Sequence, residues 1–209
     1  MSSEQNKAIV RRFTHPKGTA MDINWQGSTQ INAPVEQVYR YLADFPRHCE
    51  WAQTLERMEQ IRVGDSTGIG ARYLTIERQA MQADRKPYEQ LTRGMRVKTL
   101  CEVRELTPSR RIAWHAHTAP KAMGLYADLD FELAPAADGG TLLTQHYRFH
   151  QPPILVFMFK LMFSSNVEAK GNAQWDASLR NIKAILEQAA DGAPAAYLEP
   201  RRAASGATT

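Results

Sequence analysis

The sequence predicts an α+β fold in which one antiparallel sheet of seven strands is covered by a single long helix near the C-terminal end. Three observations lead to this prediction. Much of the region between residues 22 and 150 alternates between apolar and polar side chains, as strands with one buried face do. A later stretch of about 25 residues places its apolar side chains at helical spacing instead. The predicted order is one strand, two short helices, six strands and the long helix.

The first strand and the two short helices are predicted over residues 22–51. Residues 22–31 alternate loosely and are interpreted as a strand. Pro34 suits the first position of a helix, and apolar residues follow it at helical spacing. Pro46 breaks that helix, so a second short helix is predicted from His48 to Trp51.

Six further strands are predicted after Trp51, where the spacing of apolar residues changes from helical to alternating. Turn signals rich in Gly, Asp, Ser and Pro separate most of them. Only the connection 79–94 is long, and its polar composition predicts an exposed loop. The predicted strands are 55–63, 69–78, 95–106, 110–118, 125–134 and 141–150.

The phase of each strand predicts which side chains face the core. In strand 125–134, Ala127, Leu129, Phe131 and Leu133 share one face, and acidic residues occupy the other. The strands 95–106, 110–118 and 141–150 show the same division into an apolar and a polar face. In strand 69–78 the pattern leaves open whether Tyr73, Thr75 and Glu77 or the alternate residues point inward.

The long helix is predicted from Ser164 to about Gln188. Its apolar residues recur at spacings of three and four, which places them on one face. We therefore expect this face to cover the apolar side of the sheet. The residues concerned are Trp175, Leu179, Ile182, Leu186 and Ala189.

Composition excludes several classes of protein. With 43% hydrophobic and 23% charged residues, the chain has the composition of a soluble globular domain. Its longest apolar run, residues 154–163, is too short to span a bilayer, and its polar start is unlike a secretion signal, so we expect a cytoplasmic protein. Cys49 and Cys101 are too few for a disulfide framework.

The net charge of +4 does not predict nucleic-acid binding. Four basic residues stand against one acidic residue within the first 20 positions, so most of the excess lies there. The predicted strands and helices carry no basic stripe, which phosphate binding requires. We divide the chain into an N-terminal extension of residues 1–20, expected to be mobile, one domain of residues 21–190, and a tail of residues 191–209. The tail is rich in Ala, Gly, Pro and Ser and cannot bury a core, so we expect it to be disordered.

Five segments, in order along residues 22–188, resemble one protein superfamily. They are INAPVEQVY at 31–39 with its continuation to Trp51, GIGARY at 68–73, EVRELTPSRRIAW at 102–114, DGGT at 138–141 and NIKAILE at 181–187. They are similar to the SRPBCC (START-like) superfamily, and specifically to its polyketide cyclase/dehydrase and lipid-transport branch. The resemblance implies a helix-grip fold, with a curved sheet wrapped round the long helix and a cavity between them. It implies no particular reaction.

The predicted function is binding of a hydrophobic small molecule of the polyketide, lipid or quinone class in that cavity. A polyketide cyclase or dehydratase acting in the same cavity and a lipid or quinone carrier at a membrane surface are the alternatives. Side chains on the inward faces are the candidate ligand contacts. The alternative is that these side chains simply fill a core. The candidates are Tyr73, Thr99, Trp114, Leu129, Phe131, Gln145, Tyr147, Trp175 and Leu179.

Three further features are left as alternatives. If Glu77 points inward, its carboxyl group could act as a general acid or base. His115, His117, His146, Asp128 and Asp130 offer atoms that zinc accepts, but their phase puts them on the polar face, so we expect neither a metal nor another cofactor. The apolar run 154–163 is either a lid that touches a membrane transiently or a segment packed under the sheet.

Overall fold

The computed structural model describes residues 22–78, 90, 93–137, 139–162 and 167–190. The predicted N-terminal extension, the tail after residue 190 and most of the connection 79–94 lie outside these described residues. The single-domain boundaries therefore stay a prediction at both ends.

Seven strands form one antiparallel sheet, which confirms the predicted number of strands and the predicted sheet type. Their order across the sheet is β1-β7-β6-β5-β4-β3-β2. Neighbouring strands in the sheet are therefore neighbours in the chain, except that β1 closes against β7. The strands are β1 (Asp22–Ile31), β2 (Leu55–Arg62), β3 (Arg72–Arg78), β4 (Arg96–Thr107), β5 (Arg111–Thr118), β6 (Tyr126–Pro135) and β7 (Thr141–His150).

Four helices accompany the sheet in the described part of the chain. Two short helices, α1 and α2, follow β1 and are joined by the 3-10 turn Phe45–Arg47. The apolar run after β7 forms a third helix, and the long C-terminal helix follows it. The bounds are α1 (Val35–Ala43), α2 (His48–Trp51), α3 (Pro153–Met162) and α4 (Val167–Ala190).

One strand begins later than its pattern of residues predicts. β3 starts at Arg72 and not near residue 69, because the preceding glycines form a turn. Gly68 and Gly70 have φ angles of 87° and 79°, a left-handed region that favours glycine. The Asp65 Oδ1 atom accepts hydrogen bonds from the amides of Thr67 at 2.8 Å and Ile69 at 3.1 Å, which closes the turn.

The sheet curves around α4. The pairing of β2 with β3 shifts register twice, and the pairing of β4 with β5 shifts between Val103 and Glu105. An extra residue on one strand bends that strand and increases its twist. These bulges let the strands at one edge of the sheet turn toward the helix. The result is a curved antiparallel sheet with a C-terminal helix, consistent with a helix-grip fold.

Helix α4 is fastened to the concave side of the sheet by apolar and polar contacts. Leu179, Ile182 and Leu186 are at most 1% exposed, as the helical spacing predicts. Asn181 Nδ2 donates to the carbonyl of Trp51 at 3.0 Å, and Lys183 Nζ donates to that of Gln30 at 2.7 Å. These bonds fix the C-terminal half of α4 against α2 and β1.

A glycine allows close packing where α4 meets β1. The indole ring of Trp25 folds along β1 over Gly27. A Cβ atom at position 27 would lie only 2.6 Å from two of its ring carbons and 3.0 Å from Leu179. Any larger residue at position 27 would therefore displace this tryptophan from the interior.

Candidate functional site

The inner side of the sheet has a tightly packed half, which is closed by α1 and α2. Phe45 stacks on Tyr73 at 5.0 Å between ring centroids and meets Trp114 edge-on at 5.7 Å. His48 lies among Phe45, Trp51, Trp114 and Phe131, with centroid distances between 4.8 and 6.5 Å. Ring packing of this kind fills the volume between sheet and helices and leaves no room for a ligand.

The other half of the inner face is lined by small side chains. Cys101 on β4 pairs with Ala116 on β5, which pairs with Ala127 on β6, so three small residues lie side by side across the centre of the sheet. They keep 5–7% of their surface accessible, whereas Ile112 and Phe131 in the packed half keep none. Their side chains therefore reach less far toward α4 than those of the packed half.

Larger side chains surround these small residues and remain partly accessible. Tyr147 lies 4.4 Å from Trp175 of α4 and 6.0 Å from Phe149, measured between ring centroids. Trp175 also lies 5.9 Å from the buried Trp25. The partly accessible residues on the inner side of the described chain include Glu77, Val97, Tyr147, Phe149 and Trp175.

The structure settles the orientation of β3, which the sequence leaves open. Tyr73 and Thr75 are buried and pair with Cys101 and Thr99 of β4, whose inner face is clear from its own pattern. Glu77, two residues further along the strand, therefore also points inward.

The carboxyl group of Glu77 is held by hydroxyl groups. Thr75 Oγ1 donates to Glu77 Oε1 at 2.8 Å, and the side chain of Thr99 also hydrogen-bonds to Glu77. Burial raises the pKa of the Glu77 carboxyl group, and these two hydrogen bonds offset only part of that effect. Glu77 is thus a carboxyl group whose charged form is disfavoured by its surroundings.

Glu77 and Tyr147 both lie on the inner side of the sheet, on opposite arms of it. Three strands separate β3 from β7 in the strand order. Even so, the Glu77 charge adds to burial in raising the pKa of Tyr147, and it adds to burial in raising that of Cys101 to about 12. Such effects require proximity, which the curvature of the sheet provides.

The nine residues predicted to contact a ligand all belong to the inner side, but they differ in accessibility. Phe131, Gln145 and Leu179 are completely buried and lie in packed regions. Tyr73, Thr99, Trp114 and Leu129 keep between 5% and 9% of their surface. Tyr147 and Trp175 keep the most. The role of all nine in ligand binding stays a prediction.

Several residues at the small-residue half were not among the predicted ligand contacts. The alternation of their strands predicts that Val97 and Phe149 point inward, and the structure places both on the inner face. The alternation of β5 and β6 places Ala116 and Ala127 on the inner face, but only the pairing of β5 with β6 shows that they are adjacent. The missing information was the register of the strands.

The polar face of the sheet carries groups that metals accept. Among the described residues, Asp130, Glu132 and His146 bring ligand atoms within 4.8 Å of one another. However, Asp130 Oδ2 already lies 3.0 Å from His146 Nδ1 and 3.5 Å from Arg111 Nη2. Arg111 thus already places a positive charge beside the Asp130 carboxylate, as a metal would. The expectation that no metal binds stays a prediction.

The histidines of β5 are likewise engaged with neighbouring side chains. The Nδ1 atom of His115 lies 2.6 Å from Asp128 Oδ1, and its Nε2 atom lies 2.9 Å from Nε2 of His117. A depression of about 600 Å³ on the same face, between Arg110, Glu132 and Thr144, is open to solvent and far from the inner residues. Neither feature belongs to the interior site.

Helix α3 presents an apolar stripe to solvent. Ile154, Phe157 and Leu161 are 65%, 60% and 45% exposed, so these three residues do not pack under the sheet. A Cβ atom added at Gly124, in the turn between β5 and β6, would lie 2.9 Å from Pro152, so this turn runs close to the start of the helix. Lys121, in the same turn, is exposed. Among the described residues no helix combines the length and apolar character needed to cross a membrane.

Comparison with solved structures finds the same fold in proteins of low sequence identity. A START superfamily protein from Mycobacterium smegmatis superposes with a TM-score of 0.58 at 10% identity, covering 79% of this chain and 98% of the other. The di-domain aromatase/cyclase (ARO/CYC) StfQ of the steffimycin biosynthetic pathway gives 0.59 at 14% identity, covering 82% and 53%. TTHA0849 from Thermus thermophilus gives 0.57 at 15% identity, covering 81% and 99%.

Sequence comparison identifies the family. The search of curated proteins found no match. Residues 22–187 match the family described as polyketide cyclase/dehydrase and lipid transport. This match covers every described strand and nearly all of α4, and the structural neighbours share the fold. The chain therefore belongs to the polyketide cyclase/dehydrase and lipid-transport family of the SRPBCC (START-like) superfamily.

Proposed function

We propose that the protein binds a hydrophobic small molecule of the polyketide, lipid or quinone class in a cavity between the sheet and the N-terminal half of α4. One observation carries the proposal: Tyr147 and Glu77 lie deep enough for burial to raise their pKa values, yet both keep accessible surface. A group that is both deep and accessible borders an internal space. Cys101, Ala116 and Ala127 would form its floor, and Trp175 its cover.

The chemistry of this lining favours an apolar ligand. Aromatic and aliphatic side chains dominate, and a few polar groups interrupt them, which is typical of small-molecule sites. Apolar area removed from water contributes about 25 cal/mol per Å², so a ligand of moderate size can be held without charged contacts.

Filling the cavity tests this proposal. Ala116→Phe places a ring on the floor of the proposed site, whereas Ala113→Phe places the same ring on the polar face of the same strand. We expect the first variant to abolish binding of an apolar probe such as 2-isopropylnaphthalene, followed by calorimetry. The second should bind it as the unmodified protein does. Equal binding by both folded variants would place the probe elsewhere and contradict the proposal.

A second candidate function is cyclisation or dehydration of a polyketide in the same cavity. The observation that favours it is Glu77, a buried carboxyl group that would hold its proton at higher pH than an exposed one and could give it to a substrate oxygen. StfQ, which shares the fold, is described as a di-domain ARO/CYC. The same kind of reaction is proposed for this chain by analogy of fold.

The enzymatic proposal has its own test. Incubation with a linear poly-β-ketone, followed by mass spectrometry, should show loss of water with the unmodified protein. Glu77→Gln should slow that reaction by about a hundredfold or more, the usual contribution of a general acid or base. Turnover that is unchanged in a folded Glu77→Gln variant would remove Glu77 from the mechanism.

A further inference from the structure

The proposed cavity contains a carboxyl group that no cation neutralises among the described residues. The nearest arginines along the strands are otherwise engaged: Arg78 Nε and Arg96 Nε lie 3.2 and 2.6 Å from the oxygens of Glu56 on β2. Glu77 itself is held by the neutral hydroxyls of Thr75 and Thr99. A carboxylate with only neutral partners retains an uncompensated charge, which is unfavourable in an apolar interior.

In the part of the chain that the structure describes, the other polar groups around Glu77 do not supply a positive charge either. Tyr147 faces it across the interior and Cys101 lies on the floor, and the Glu77 charge raises the pKa of both. Each is therefore neutral over the physiological range. The polar end of the proposed cavity consists of one ionisable carboxyl group surrounded by hydroxyl and thiol groups.

We propose that Glu77 determines which ligands the cavity accepts: uncharged apolar molecules that carry a ketone or quinone oxygen, and not molecules that carry a carboxylate. This inference rests on the proposed function, because it assigns the ligand class of the same cavity. In its protonated form the Glu77 carboxyl group donates one hydrogen bond to a ligand carbonyl, while its Oε1 atom still accepts from Thr75.

The same group would exclude anionic ligands such as free fatty acids. A ligand carboxylate placed beside Glu77 would bring a second negative charge into the apolar space. One of the two groups would then have to remain protonated, at a free-energy cost that weakens binding. An apolar hydrocarbon without an oxygen atom would enter without repulsion but would leave the Glu77 hydrogen unpaired.

Three probes of similar shape test the proposal by calorimetry and by quenching of tryptophan fluorescence, to which Trp175 contributes. They are 2-acetylnaphthalene, 2-naphthoate and 2-isopropylnaphthalene. At pH 7 we expect the ketone to bind at least about tenfold more tightly than the carboxylate, the ratio that one buried hydrogen bond can give. The affinity for the ketone should fall as the pH is raised and Glu77 ionises, whereas the affinity for the hydrocarbon should change little.

Glu77→Gln removes the charge but keeps a hydrogen-bond donor. We expect this variant to bind the ketone at all pH values and to bind 2-naphthoate more tightly than the unmodified protein does. The control Glu132→Gln changes an exposed residue on the polar face and should alter none of the affinities. If the Glu77 variant does not fold, the pH dependence of the unmodified protein still decides the question.

The outcomes separate this inference from the function on which it rests. If the hydrocarbon binds and Ala116→Phe blocks it, but ketone and carboxylate bind equally well, the selectivity of Glu77 is refuted and the cavity stands. If none of the three probes binds to the unmodified protein, the proposed function fails and the inference fails with it.

Discussion

His48 shows how the packed half of the interior controls a single titratable group. Its ring is 3% exposed and surrounded by aromatic side chains, and Nε2 lies 2.8 Å from the carbonyl oxygen of Leu42. Burial lowers its pKa from 6.5 to about 4, and the hydrogen bond to Leu42 opposes this shift only partly. The folded protein therefore keeps His48 neutral over a range in which the unfolded chain binds a proton.

We predict a loss of stability with acid that depends on His48. As the pH falls below 6.5, His48 binds a proton in the unfolded state but stays neutral in the folded state, so the free energy of unfolding decreases. The decrease continues until about pH 4, where the folded state is protonated as well. Over that range it amounts to about 3 kcal/mol, at about 1.4 kcal/mol per pH unit. Urea denaturation between pH 7 and 4 measures it, and His48→Gln should flatten the profile.

His146 supplies the matched control, since its pKa is shifted in the opposite direction. Its hydrogen bond to Asp130 raises the pKa, so its contribution is present at low pH and is lost as the pH rises through the folded value. His146→Gln should therefore leave the acid-induced loss in place. A profile that His48→Gln does not change would contradict this assignment.

Gln145 is a buried residue whose polar atoms carry an energetic penalty. It is 0% exposed between Gly27 and Phe131, and neither Nε2 nor Oε1 has a hydrogen-bond partner among the described residues. A buried amide without partners costs about 1–3 kcal/mol relative to one that is paired.

We predict that Gln145→Met leaves the free energy of unfolding unchanged or raises it by about 1 kcal/mol, because methionine has similar shape without polar atoms. Thermal denaturation measures the change, and Gln145→Glu, which buries a carboxyl group at the same position, should destabilise the fold. Marked destabilisation by methionine would show that Gln145 has a structural partner after all.

Among the secondary-structure elements, the strands themselves could be predicted from the sequence, but their register and inner faces could be predicted only in part. Alternation in β4 to β7 gave both the strands and their inner faces, because each pattern is local and one face of the sheet is buried. The face of β3 could not be predicted, since the long connection to β4 leaves the register open and only pairing with Thr99 and Cys101 orients Glu77.

The sequence was sufficient to predict which side chains point inward. It was not sufficient to predict which part of the inner face forms the candidate site. The sequence indicates that Trp114, Tyr147 and Trp175 point inward. It does not indicate that α1 and α2 fill one half, or that the small side chains of β4, β5 and β6 meet in the other. Those facts depend on which residues of different strands become neighbours.

Helix α3 leads to a prediction about membranes. Its exposed residues Ile154, Phe157 and Leu161 form one stripe. The exposed Lys121 lies in the turn between β5 and β6, which runs close to Pro152 at the start of the helix. An apolar stripe beside a basic side chain matches the surface of an anionic phospholipid bilayer. This pattern favours the alternative, indicated by the sequence, of a lipid or quinone carrier at a membrane surface.

We predict that the protein co-floats with phosphatidylserine-containing vesicles and that Ile154→Ser with Phe157→Ser abolishes this binding without unfolding the protein. Val63→Ser, which replaces an apolar residue that is 76% exposed in the loop after β2, is the control and should change nothing. Vesicle binding that survives the double substitution would rule out α3 as the contact.

For the molecule as a whole, we propose that one part of the interior holds the fold together and another part receives the ligand. The C-terminal half of α4 is fastened to α2 and β1 by Leu179, Ile182, Leu186 and the hydrogen bonds of Asn181 and Lys183. Its N-terminal half carries Trp175, whose ring lies 4.4 Å from that of Tyr147 on β7. A ligand could therefore enter beneath one half while the other half keeps the domain folded.

NMR with labelled alanine methyl groups tests most directly whether an apolar ligand lies between Trp175 and the inner face of the sheet. We expect nuclear Overhauser contacts from bound 2-isopropylnaphthalene to the methyl groups of Ala116 and Ala127, and none to Ala113 on the opposite face. Contacts to Ala113 alone, or none to any labelled methyl group at saturating probe, would contradict this placement of the ligand.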